Sequence, residues 1–186
     1  MNEQYINEIK LVIYKFLDGY QKRDLNEIDN FMKDLFCQEE DTLVFGAAPN
    51  EEFVGYKQVR TLIEKDWKYW GDLSLDIDGA VIHVGQDMAC VTMRGKVKMQ
   101  INESQLCGRS LHDIGEMIGY QLSTKERLLM ICDNASKVLL ELERGENHIW
   151  SIRITSVLVK HNSKWLFKQI HFSHPTMAYP GERIID

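Results

Sequence analysis

Residues 153–175 read RITSVLVKHNSKWLFKQIHFSHP. Two runs rich in β-branched, aromatic and long aliphatic residues flank the polar quartet HNSK, His161 to Lys164, which is the pattern of two strands joined by a turn. Successive side chains of a strand point to opposite faces. His171 is therefore expected to share a face with Trp165, Phe167, Gln169 and Ser173, and His174 to fall on the other. The chemistry open to these histidines depends on which face is inside.

The period of two extends upstream. In LSLDIDGAVIHVG (73–85), Leu75, Ile77, Val81 and His83 are placed on one strand face and Asp76 and Asp78 on the other. In MACVTMRGKVKM (88–99), Ala89, Val91, Met93, Val97 and Met99 alternate with Thr92, Arg94, Lys96 and Lys98, and Gly85–Asp87 reads as a hairpin turn. Towards the N-terminus the period becomes helical: Tyr5, Ile6, Ile9, Val12, Ile13, Phe16 and Leu17 form one stripe, ended by Gly19 and the charged QKRD. Asp24 is placed to cap a second helix striped by Leu25, Ile28, Met32 and Leu35. Thr42–Phe45 reads as a short strand, Gly46 with APN (48–50) as a turn, and Gly55 as the start of a third helix over 56–70.

Residues 102–147 interrupt the strands. Leu128, Ile131, Cys132, Ala135, Val138, Leu139 and Leu142 recur at helical spacing, Ser123 and Glu126 form a capping box, and Gly145 is a stop. The spacing predicts one helix of about five turns, with a shorter one inside LHDIGEMIGYQ (111–121). Helices first and an antiparallel meander after them argue an α+β fold rather than a parallel, doubly wound sheet. A length of 186 residues suits a single domain carrying 102–147 as a helical insertion.

Six net negative charges disfavour a phosphate backbone as partner, and the three cations of RGKVK (94–98) read as a solvated strand face. The opening MNEQYINEIK has neither a basic n-region nor an apolar h-region. No apolar run reaches the ~20 residues that span a bilayer. The expectation is a cytoplasmic protein without nucleic-acid or membrane partners, in which Cys37, Cys90, Cys107 and Cys132 stay reduced.

The stretches FGAAPNEEFVGYKQVRTLIEKDW (45–67) and 153–175 together resemble the SnoaL-like branch of the nuclear transport factor 2-like superfamily. They do so through a glycine opening the third helix, then Arg153, Thr155, Val157 and Leu158, and then Trp165, His171, Ser173 and Pro175. The likeness covers about residues 1–101 and 148–176. It implies a cystatin-like cone in which N-terminal helices pack on a strongly curved antiparallel sheet, with dimers formed through the sheet face. The implied function is binding of a small molecule in a mainly apolar pocket inside the cone. The family also contains isomerases, cyclases, dehydratases and non-catalytic assembly modules, and fold alone does not choose between them.

Each candidate side chain has a functional and a structural reading. His171 in an aromatic pocket suits a general base, but a core histidine satisfied by a neighbour has the same signature. His83 is a second pocket candidate or a wet strand-end residue. Arg153 either binds an anionic group in the cone or pairs with Asp76, Asp78 or Glu52. Tyr14 offers an O–H to a developing oxyanion, and Trp67 and Trp70 either roof the pocket or pack the core. Trp165 and Ser173 complete the proposed lining. The opposed faces of His171 and His174, and the lack of C-x-x-C or H-x-x-x-H spacing, speak against a metal site. No phosphate loop or dinucleotide fingerprint calls for a cofactor.

Overall fold

Helix α1 (Asn2–Lys22) buries Ile9, Ile13, Phe16 and Tyr20 along one stripe, and runs straight through Gly19. In the computed structural model, which describes residues 2–47, 51–100, 102–143, 145 and 147–174, that glycine is a packing requirement. A Cβ there would meet the Phe31 ring at 2.2 Å. The helix ends three residues later than the glycine suggests, at Lys22, and Arg23 follows with φ +50°. Asp24 then caps a 3-10 turn, Leu25–Glu27, by accepting from the Asn26 amide, and α2 (Ile28–Leu35) follows with Ile28, Met32 and Leu35 buried.

Strands β1 (Leu43–Phe45) and β2 (Glu52–Val54) form an antiparallel pair. The APN turn expected between them lies outside the described residues. Gly55, at φ +88°, opens α3 (Tyr56–Tyr69), which buries Val59, Ile63 and Trp67. β3 (Asp72–Leu75), β4 (Val81–Val84) and β5 (Met88–Gln100) come next. After α4 (Glu103–Ile118) and α5 (Thr124–Glu143), the chain closes with β6 (Asn147–His161) and β7 (Lys164–Ser173). Asn162 and Ser163, both at positive φ, make the turn between the last two strands, as a tight hairpin requires.

The fold is α+β, with helices against a curved, unclosed sheet of order β2-β1-β7-β6-β5-β3, and β4 alongside β5. One pairing departs from the expected meander: β1 runs parallel to β7, so the sheet is mixed. α1 packs on β3, β4 and β7, α2 on β7, and α3 on β1 and β2. Phe16, Tyr20, Phe31, Phe36, Trp67 and Phe167 join there in one aromatic cluster, with ring centroids 4.7–6.5 Å apart.

The chain divides into two compact units, Met1–Val97 with Trp150–Asp186, and Lys98–Ile149. The second is a helical hairpin. Asn102 caps α4 by accepting from the Gln105 amide, which starts this helix well before the 111–121 stretch where it was expected. Ser123 and Glu126 form the anticipated capping box in front of α5: the Ser123 amide and hydroxyl donate to Glu126, whose amide reaches back to the Ser123 hydroxyl. Ser110 of α4 bonds Asn134 of α5 between the two helices.

The Gly19–Phe31 contact sets a test. Alanine normally gains up to about 1 kcal/mol over glycine inside a helix, whereas overpacking costs about 1–3 kcal/mol. Gly19→Ala is expected to lower stability in urea denaturation, and adding Phe31→Leu should recover part of the loss. A Gly19→Ala protein as stable as wild type would show that the Gly19–Phe31 approach does not require a glycine.

Candidate functional site

The last turns of α1 and α3 bring together two groups that belong on apolar stripes. Tyr20 follows Phe16 by four residues and is only 1% exposed. Asp66 follows Ile63 by three, on the face of α3 that carries Val59, Ile63 and Trp67. The Tyr20 hydroxyl donates to Asp66 Oδ2 at 2.8 Å. Trp67 and Trp70 stand edge-on to the Tyr20 ring at 6.4 and 6.0 Å, and Trp70 also meets Phe172 at the end of β7.

Arg23 holds this corner. Its Nε donates to the Tyr20 carbonyl at 2.9 Å, Nη1 to the Trp70 carbonyl at 2.7 Å and Nη2 to the Gly71 carbonyl, and it pairs with Asp72. These bonds satisfy the carbonyls at the end of α1 and at the α3–β3 junction, and hold Arg23 in its left-handed conformation.

Burial pushes the Asp66 carboxyl up to about 7. The Tyr20 hydrogen bond pulls it back, the Glu51 charge raises it further, and Arg23 lowers it. Burial, and then the neighbouring Asp66 charge, hold the Tyr20 hydroxyl well above its ordinary value, so it remains a donor. A carboxyl that changes charge near neutrality beside a fixed O–H can accept or deliver a proton at physiological pH.

The residues chosen from the sequence do not assemble. A register shift in β6–β7 pairs Val157 with Gln169 and Leu158 with Phe167, leaving Lys168 as an extra residue. The pleat therefore changes phase: Trp165 and Phe167 are buried, but so are Ile170 and Phe172. His171 is exposed on the opposite face, beside Phe45 and across from Thr155. The shared face expected for His171, Trp165 and Phe167 is thus corrected by one bulge, whose Lys168 ammonium is tied to Glu39 and Asp41.

His83 is exposed as well. The strand expected over 73–85 breaks at a turn where Asp76 accepts from the Gly79 amide, and β4 restarts with Val81 and His83 outward. Arg153 is exposed opposite Ser173 and, among the described residues, pairs with none of Asp76, Asp78 and Glu52. Tyr14 is 47% exposed, away from the interior. Trp67 lies in the aromatic cluster, its Nε1–H buried without a partner among the described residues. Trp165 is buried at another point, donating to Glu8 Oε2 at 3.1 Å beneath Tyr5. Asp76 and Asp78 are solvated.

A groove of about 300 Å³ opens between α1 and α2, floored by Gly19, Phe31, Leu35 and Trp67 and rimmed by charged side chains such as Lys15 and Asp18. Of the anticipated pocket residues, Trp67 is the one that lines it. Among the described residues no three His, Cys, Asp or Glu side chains are grouped to hold a metal ion, and no helix is long and apolar enough to cross a membrane.

Helices against a curved mixed sheet, in this order and pairing, define the nuclear-transport-factor-2-like fold. Residues 9–112 match the family model for the SnoaL-like domain, more than half of the chain, and the chain belongs to that family. No curated protein sequence matches it. Among solved structures, a nuclear-transport-factor-2-like superfamily protein from Salmonella enterica serovar Typhimurium LT2 superposes with a TM-score of 0.62 at 17% identity, over 98% of this chain and 99% of that one. A protein from Streptomyces avermitilis, provisionally described as a dehydratase of the same fold family, gives 0.60 at 9% identity over 95% and 99%. One from Novosphingobium aromaticivorans, provisionally described as a scytalone dehydratase, gives 0.55 at 14% over 95% and 89%. At these identities the likeness is one of fold.

The raised Asp66 carboxyl predicts a pH signature. In the unfolded chain it titrates near 4, so between about pH 4 and 7 the folded state holds the extra proton and stability falls as pH rises. Unfolding free energies of the wild type from urea denaturation should therefore decline over that window relative to Asp66→Asn, by up to about 4 kcal/mol by pH 8. Parallel curves for the two proteins would show that Asp66 titrates normally.

Proposed function

We propose that this SnoaL-like chain binds a small, mainly apolar molecule whose hydrogen-bonding group meets the Asp66 carboxyl. The observation that carries this reading is the Tyr20–Asp66 hydrogen bond within an aromatic wall. A carboxyl kept near neutrality offers both a donor and an acceptor to an uncharged ligand. Trp70 and Phe172 supply apolar contact beside it, the mix of walls and few polar groups common to small-molecule sites.

A second reading is favoured by the carboxyl's value of about 7. Asp66 would move a proton on a bound carbonyl compound, with Tyr20 orienting it, as acid–base chemistry of the isomerase or dehydratase type needs. Asp66 would then take the role first considered for His171. The provisional descriptions of two structural neighbours as dehydratases agree with that class without assigning it.

A panel of neutral ketones and hydroxyketones, followed by ligand-observed NMR in D₂O, separates the readings. Saturation transfer reports binding, and loss of the α-proton signal reports catalysed exchange. Binding to wild type that is lost in Asp66→Asn and kept in His171→Ala supports the site. Exchange falling by about 10²–10⁴-fold in Asp66→Asn supports the acid–base role. Binding or exchange untouched by Asp66→Asn would move the site elsewhere.

A further inference from the structure

The helical hairpin leaves one side of α5 uncovered. Leu128, Leu129, Leu139 and Leu140 are 57, 59, 61 and 55% exposed. The half-buried Met130, Ile131, Asn134, Ala135 and Val138 occupy the other side, where α5 meets α4. At 3.6 residues per turn, the four leucines fall with Lys125, Cys132, Ser136 and Glu143 inside one arc of about 120°. All four of these are exposed too. Leucines at this density on a solvent face call for a partner surface.

The order of residues along that arc fits a second copy of itself. Turning another α5 by half a rotation about an axis through residue 134 sets Lys125 opposite Glu143, Leu128 opposite Leu140, Leu129 opposite Leu139 and Cys132 opposite Ser136. Cation meets acid at both ends, and leucine meets leucine inside them. The two smallest side chains meet at the centre, where the backbones come closest. Neither Lys125 nor Glu143 has an ion-pair partner among the described residues. A parallel pairing would instead set Lys125 against Lys125 and Glu143 against Glu143, so the charges choose the antiparallel one.

We propose that α5 pairs antiparallel with α5 of a second copy of this chain, across a two-fold axis near residue 134. The contact is isologous, so each interaction occurs twice. A 20-residue helix spans about 30 Å, which gives an interface at the small end of the stable range. The association is accordingly expected to be concentration-dependent.

Sedimentation of the full chain from low micromolar to millimolar concentration tests it. Wild type should show an association step that Leu129→Glu/Leu139→Glu removes, with circular dichroism confirming that the variant remains folded. Lys125→Glu and Glu143→Lys should each weaken the step by about tenfold or more, the equivalent of roughly 1.4 kcal/mol. The two charge-reversed proteins should associate with each other when mixed, and the double variant should recover wild-type affinity. A wild type that stays monomeric throughout overturns the proposal. So does a dimer indifferent to all four changes, which would be joined through another face, or a mixture that fails to restore association.

Discussion

Much of the first unit depends on one close approach, the Phe31 ring lying over Gly19. A glycine inside a helix costs up to about 1 kcal/mol relative to alanine, and α1 carries it at the point where a Cβ would occupy the ring. The approach lets α2 meet α1 one turn before α1 ends. It brings Phe31 to within 4.9 Å of Trp67, so α3 is registered against the same pair of helices. Tyr20, the next residue along, is thereby carried under α3 and reaches Asp66. The hydrogen bond at the site is a consequence of how the helices are spaced, and Arg23 fixes the end of that arrangement through the carbonyls of Tyr20, Trp70 and Gly71.

The second determining feature is a single extra residue in β7. Without it, the strand would keep His171 on the side of Trp165 and Phe167. With Lys168 bulged out, the apolar pair Ile170 and Phe172 goes inward and His171 goes to the other face. The bulge also aims the Lys168 ammonium at Glu39 and Asp41, in the segment that follows α2. A one-residue slip reverses the face of every later side chain in a strand. It therefore decides which polar groups can be near the interior.

This explains how far the sequence could be read. The elements were legible because each rests on a local pattern: the stripe of α1, the alternation of β5, the Ser123–Glu126 box, the HNSK turn. The site was not, because its placement depends on two departures from periodicity that no local pattern announces. One is the bulge at Lys168. The other is the turn at residues 76–80, which reverses the phase of β4 and turns His83 outward. A signal for Asp66 was present: a carboxylate at helical spacing with Val59, Ile63 and Trp70, on a stripe otherwise apolar. Its partner Tyr20 lay beyond Gly19, where the helix was expected to stop. The parallel pairing of β1 with β7 is also non-local, since its hydrogen bonds join residues far apart in sequence.

The chemistry of the pair can be judged by what a purely structural tie would require. An asparagine at position 66 could accept the same hydrogen bond from Tyr20 without an ionisable group to bury. An apolar pair of similar volume could link α1 to α3 with no polar cost at all. The carboxyl differs from both in one respect: its charged form is destabilised, so its proton leaves near neutral pH instead of near 4. Such a group lowers the stability of the folded state at physiological pH in return for a proton that can be exchanged there. Perturbed groups of this kind gather where chemistry or ligand recognition uses them. His171, by contrast, is exposed, outside the dry environment that acid–base work of that sort depends on, whereas Asp66 is held by its tyrosine in an aromatic corner.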